Sequence, residues 1–408
     1  NNTYVGYKSG FGVSGNSNSN NVGVGANALV AITTGGTNVA IGVGAGSVIT
    51  DGANNITIGA YALDASTTAS NNVTIGNDSM GGITAAVQYA VAIGKNAFIG
   101  SGSTTTGANG AVAIGYNSLT GLTTGSGNVA VGYQAGTSIN SDGSNVSVGY
   151  ESSKYMYGGS NVAVGKDALL GATFTDATCD YNHTGGSPRV VAHDANASII
   201  AGLGVSGTGI PDGAYIASRD TSTQFTINAD ATATATNGTL TFYSRTSGAV
   251  AIGTDALTAF KTGSGNTAVG NSSMSGVMIG ALRNTAIGTD SLFALTTGDD
   301  NTCVGASAGT GITSGIENVA IGKSALQTVS GGHYNVAVGW YALSTSSGNS
   351  NTGVGYQAGD VIQAGTSNTC IGHGTDPSAH GGTNQTVVGA GTTGQADNSV
   401  TLGNASVT

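Results

Sequence analysis

The chain repeats one short alternation of apolar and small residues about twenty times, as in Asn128-Val-Ala-Val-Gly-Tyr-Gln-Ala-Gly136. Most copies have Val or Thr, a small residue, a branched aliphatic residue and a glycine. The motif glycines run from Gly6, Gly25 and Gly42 to Gly389 and Gly403, mostly 16, 17 or 18 residues apart. The exceptions are steps of 19, 21 and 14 and one jump of 88 between Gly165 and Gly253. A fixed short period in a glycine-rich chain marks a repeat architecture, and three alternating residues per period predict a short strand. Side chains alternate across a strand. The two branched residues, such as Val129 and Val131, therefore share one face, which reads as the inside of a coil. The small residue, such as Ala130, faces the other way, toward something that approaches closely.

The flanking residues fit a coil. The residue ahead of the strand is Asn in most copies, as at Asn21, Asn128 and Asn335. Asn tolerates turn conformations, and stacked copies can form an amide ladder. The motif glycine suits a corner. Beyond it comes a small residue and often Leu, as in Ala28-Leu29 and Ala325-Leu326. Four coils carry Gly46, Gly136, Gly309 or Gly359 in place of that Leu, each followed by Ile49, Ile139, Ile312 or Ile362. The Ile is expected to fill the volume that Leu fills elsewhere. Seventeen residues bury too little to fold alone, so each coil depends on its neighbours. Twenty coils at a strand spacing of about 4.8 Å predict a rod of roughly 95 Å.

The strings Asn38-Val-Ala-Ile-Gly42, Asn128-Val-Ala-Val-Gly132 and Asn318-Val-Ala-Ile-Gly322 resemble the head repeats of trimeric autotransporter adhesins and the related repeats of bacteriophage tail fibres. The resemblance implies an all-β fold, a left-handed parallel β-roll with three chains around one axis. It also implies that the small-residue face lines the axis, with Ala130, Cys303 and Cys370 as axis residues. The period is longer than in adhesin heads, which favours the fibre.

The 88-residue jump equals one coil plus 71 residues, so residues 172–246 are expected to form an inserted β module between repeats at 1–171 and 247–408. Three of the four Arg, two of the three Pro and six aromatics fall in it. Alternating runs such as Gln224-Phe-Thr-Ile227 and Thr239-Leu-Thr-Phe-Tyr243 predict antiparallel strands. Residues Val205 to Gly213, followed by Tyr215-Ile216, resemble a small β module of phage virion proteins. Insertions in solenoids protrude and often carry binding. The candidate receptor contacts are Arg189, Tyr215, Arg219, Tyr243 and Arg245. Ser101 to Gly110 reads as a surface loop.

Composition narrows the function. Net charge is −10 and charged residues are 7%, with no basic stripe, which argues against nucleic acid. No apolar run approaches 18 residues, so no spanning segment is expected. The chain starts without Met, inside a coil, and reads as a fragment or processed form. Cys303 and Cys370 replace the small strand residue four coils apart, too far to bridge, and Cys179 has no evident mate. Gly305-Ala-Ser-Ala-Gly309 matches a nucleophile elbow but aligns with the repeat. Gly202 to Gly207 and Gly389 to Gly394 match a dinucleotide fingerprint outside any strand–helix unit. His373, Asp376 and His380 share a coil and read as a polar loop cluster, or, in a trimer, as metal ligands on the axis. His183 and His193 lack ligand-like spacing.

No enzyme, cofactor or metal is expected. The expected function is a structural fibre, an extracellular homotrimer on a virion or cell surface that presents a surface to a host glycan or protein receptor. The alternatives are a bacterial cell-surface adhesin or a self-assembling extracellular filament, and an ice-binding β-solenoid. The last needs Thr in one column, and Thr here reads as scattered among turns. A depolymerase would need paired carboxylates in a groove.

Overall fold

The structure, a computed structural model, describes residues 1–12, 17–100, 107–181, 189–211 and 213–406. The expected loop at Ser101 to Gly110 therefore lies partly outside the described residues. The fold is all-β, and the chain divides into two compact units, Asn1–Arg245 and Thr246–Thr408.

In the first unit ten three-residue strands, from Thr3–Val5 to Val162–Val164, each begin one coil of a parallel β-solenoid. The second unit repeats the pattern with ten strands from Val250–Ile252 to Val400–Leu402. Strands pair in parallel and in strict register, so Val112, Ala113 and Ile114 lie against Val129, Ala130 and Val131. A parallel ladder with no slip puts each repeat position into its own column.

The inside of the coil differs from expectation. The small middle residue faces inward: Ala113, Ala130, Cys303, Ala320 and Cys370 are fully buried. The branched residues face outward, and Ile41, Ile287 and Ile371 are each 40% exposed. The coil is narrow, and its far wall already supplies the bulk. Leu119 and Leu122, or Leu292 and Leu295, reach across from beyond the corner and are buried. A large residue on one wall leaves room only for a small one opposite. A β-carbon added at Gly353, a middle strand position, would lie 2.8 Å from Leu343 Cγ. The expected exchange of Leu for Ile also appears. A β-carbon on Gly136 would lie 3.0 Å from both Ile139 Cδ1 and Leu119 Cδ2, so that space is filled from the same coil and from a neighbouring one. The exchange is incomplete, because Ile32, Ile83 and Leu122 occupy the Ile position in coils that also carry Leu or Met.

The Asn residues form the expected ladder and are buried. Asn318 donates from its main-chain N and its Nδ2 to Asn301 Oδ1, both at 3.0 Å, and from Nδ2 to Gly332 O at 2.8 Å. Its own Oδ1 accepts from Asn335 N at 2.9 Å. In the second unit the run continues without a gap from Asn266 to Asn368. In the first it is interrupted at Ala90 and Ala111, where the ladder position has no amide. Each coil also holds left-handed residues, for example Asn117 (φ 54) and Leu119 (φ 50) in one turn and Ser144 (φ 61) before a ladder Asn. Each costs about 1 kcal/mol, offset by hydrogen bonds to adjacent coils such as Leu119 N to Ala135 O at 3.1 Å.

The inserted module forms a mostly antiparallel sheet. Thr173–Tyr181 pairs with Val190–Ala192 and with Ala235–Ser247, and Gln224–Ile227 lies between Val190–Ala192 and Ile216–Arg219. Val205, Ile216, Phe225, Ile227, Leu240 and Phe242 close its own core. The module is tied to the coils by a parallel pairing of Met156 with Ser244 and Tyr157 with Arg245.

Candidate binding surfaces

The largest candidate surface is the outer face of each parallel sheet. In the first unit its two columns carry Val or Ile in every coil except the first, where Thr3 takes one place. No charged residue enters either column over the ten strands of either unit. In the second unit Thr replaces Val in one column at Thr267, Thr285 and Thr302 and again at Thr352, Thr369 and Thr386. Thr is therefore held in one column there, contrary to the scattered placement read from the sequence. Ala130, Cys303 and Cys370 do not reach this face. They lie inside their own coils, where no second chain can meet them, and so cannot line an axis between chains. The three thiols are free and buried; burial pushes Cys370 and Cys179 up to about 12 and raises Cys303 as well.

The insertion residues separate into four groups. Arg189 is exposed and pairs with Asp230 (Nε to Oδ1, 2.6 Å). Arg219 is spent on the loop beside it, donating to Asn196 O at 3.2 Å and Ser222 O at 3.3 Å. Arg245 lies over the Tyr215 ring, 4.7 Å from its centroid, and both are half-buried. Tyr243 corrects the expectation of a receptor contact. It is buried, stacks on Tyr157 and donates its hydroxyl to Val205 O at 3.4 Å, so it anchors the module. Its place opposite Gly204, where a β-carbon would strike the ring, was not readable from the sequence.

A surface that sequence reasoning missed lies just past the motif glycine. Tyr116, Tyr133 and Tyr150 occupy this position in three successive coils. Their rings stack with centroids 5.3 and 5.1 Å apart and planes within 18° and 8°. In the second unit Trp340, Tyr356 and His373 do the same. Trp340 crosses Tyr356 at 81°, and Tyr356 stacks on His373 at 5.1 Å. The signal was three aromatics in phase with the repeat.

The motif-like strings take their places as turns. Ser307, centre of the nucleophile-elbow match, is a left-handed turn residue (φ 57) aligned with Gln134 (φ 53). His373 is committed to the aromatic column, and His193 is buried against Phe225. His183 lies outside the described residues. Asp376 is pushed up to about 6 by burial and then by the Asp360 carboxylate. Among the described residues no three His, Cys, Asp or Glu side chains converge as metal ligands, and no helix is long and apolar enough to cross a membrane. No protein-family model matches the chain, and no curated protein matches it.

Proposed function

We propose that the protein is a structural fibre in which three copies pack their outward Val/Ile columns around a common axis. The observation that carries this reading is the outer sheet face. Ten strands at about 4.8 Å spacing and about 10 Å width give a strip of about 500 Å² per unit. That area is near the upper end of apolar patches on monomers, and here it is one uninterrupted line of branched side chains. Branched residues on a flat sheet face interdigitate well with another such face. The polar turns and the inserted module are left on the outside. Such a fibre suits host attachment, as in a phage tail fibre on an extracellular virion surface, with the exposed surfaces meeting a host glycan or protein receptor. A bacterial adhesin or an extracellular filament would use the same packing.

Light scattering on residues 1–408 tests this. The expected mass is three times 39.3 kDa. Ile114→Lys with Ile321→Lys, both on the outer face, should give a folded single chain. A wild-type single chain would overturn the reading. The Thr columns favour a second reading, binding to ice through Thr267, Thr285 and Thr302 and their Val and Ile partners. It requires a single chain with this face open, and thermal hysteresis would detect it.

A further inference from the structure

We infer that the aromatic columns beside the outer sheet are contact lines for an extended, uncharged polysaccharide, with one sugar ring on each coil. The inference rests on the attachment role proposed above and names the ligand class and the residues that meet it.

The coil does not require these rings. The same position is Ala26, Ala60, Ala306 and Ala390 in other coils, so the fold closes with a methyl group there. Yet, apart from Tyr7 in the first coil, the aromatics are grouped on consecutive coils, in each unit separately, and remain well exposed. Tyr116, Tyr133 and Tyr150 keep 41, 42 and 48% of their surface, and Trp340 and Tyr356 keep 46 and 38%. Parallel stacking turns the Tyr faces toward one another and leaves a line of ring edges and phenol hydroxyls outermost. In the second unit the 81° crossing turns one ring out of the stack.

A row of polar groups runs beside this line, one residue further along each turn. Asn117, Gln134 and Glu151 follow the three Tyr, and Gln357 follows Tyr356, all in left-handed turn conformation. Apolar ring edges next to amides and a carboxylate match the alternation of C–H surface and hydroxyls on a sugar. Amphipathic aromatics with a few placed polar groups are the usual furniture of such contacts. The spacing fits as well: an extended pyranose chain advances by nearly one strand spacing per sugar, so ring and coil stay in phase.

Charge selects against other polymers. The chain carries a net charge of −10, which repels polyanions. Of the nearby cations, Lys166 pairs with Asp167 at 3.1 Å and Lys323 lies 5.4 Å from the Trp340 ring centroid, while Lys95, in the same column one coil before Tyr116, is exposed. A peptide strand would need open main-chain donors, and these coils are hydrogen-bonded to their neighbours on both sides.

The test is affinity electrophoresis and calorimetry of the full chain with soluble β-1,4- and β-1,3-glucans, a galactomannan and an α-glucan. Oligosaccharides of the retained polymer then follow in order of length. Affinity is expected to rise with each added sugar until the column is filled. Two variants are compared with wild type, Tyr116→Ala/Tyr133→Ala/Tyr150→Ala and Trp340→Ala/Tyr356→Ala. Each should weaken binding by about tenfold per ring removed, with unchanged solution mass and unchanged melting. The proposal is overturned if none of the polymers is retained, or if both variants bind like wild type. It is also overturned if the variants change the number of chains, since the columns would then belong to contacts between copies. The mass of the wild-type chain tests the fibre separately, so failure of one reading is distinguishable from failure of the other.

Discussion

Removing one amide from the buried ladder should cost far more than its size suggests. In Asn318→Ala the main-chain N of Asn335 loses its acceptor, and the carbonyl of Gly332 loses its donor. Asn335 Nδ2 keeps Gly348 O at 2.9 Å, and Asn318 N keeps Asn301 Oδ1, so two main-chain groups are orphaned rather than four. A buried unsatisfied polar group costs about 1–3 kcal/mol, which gives roughly 2–6 kcal/mol for the variant. The loss is local, because each coil touches only its neighbours. Hydrogen exchange is therefore the right assay, read at the amides of Asn335 and Val336 and compared with those of Asn284 and Thr285. The first pair should exchange at least tenfold faster, and the second should be nearly unchanged. An outward Thr302→Ala variant serves as the control and should lose less than about 1 kcal/mol. Equal protection at Asn335 in wild type and Asn318→Ala would refute the argument that the ladder holds the coils in register.

Gly132→Ala should destabilise by about 3 kcal/mol or more, since its β-carbon would meet Gly149 O within van der Waals contact at φ 143; urea unfolding measures it. The three thiols should resist a thiol reagent at pH 8 in the folded chain and react fully in denaturant, because burial holds all three well above their usual range. Rapid labelling of the native chain would contradict their placement. Asp376 has a folded value near 6, above its ordinary value of 3.8, and its buried Oδ1 has no hydrogen-bond partner. A raised carboxyl favours folding at low pH, and that contribution is lost as pH rises from about 4 through about 6. Asp376→Asn should therefore melt higher than wild type at pH 7.5 and show a flatter pH profile; an unchanged profile would sink the assignment.

The repeat, its register and its Asn ladder were legible in the sequence because each is a periodic signal. Which face of the strand turns inward was not. Alternation fixes that Val129 and Val131 oppose Ala130, but either face satisfies it. The choice depends on how far apart the coil walls stand, which Leu119, Leu122 and their equivalents set from a different part of the repeat. The same width carried Ala130, Cys303 and Cys370 from an expected axis into the coil interior. In the insertion, Arg189 and Arg245 were found at half-buried or exposed positions, but the burial of Tyr243 depends on a partner strand 38 residues away at Val205. Tyr116, Tyr133 and Tyr150 stand in phase with the repeat in the sequence, but their stacking depends on the strict register of the coils.

The side-chain carbonyls of the ladder all point one way. Every Oδ1 from Asn266 to Asn351 accepts from the Asn of the coil after it, whereas each Nδ2 from Asn284 to Asn368 donates both back to an Asn Oδ1 and forward to a main-chain carbonyl, as Asn318 does to Asn301 Oδ1 and Gly332 O. The main-chain bonds of the strands alternate instead: Val319 N reaches forward to Asn335 O, and Gly322 N reaches back to Val304 O. Their dipoles largely cancel, while the side-chain carbonyls of the ladder keep one direction from coil to coil. A further coil can extend the ladder only by joining with the same orientation, so the direction of growth is written into the carboxamides as well as into the strands.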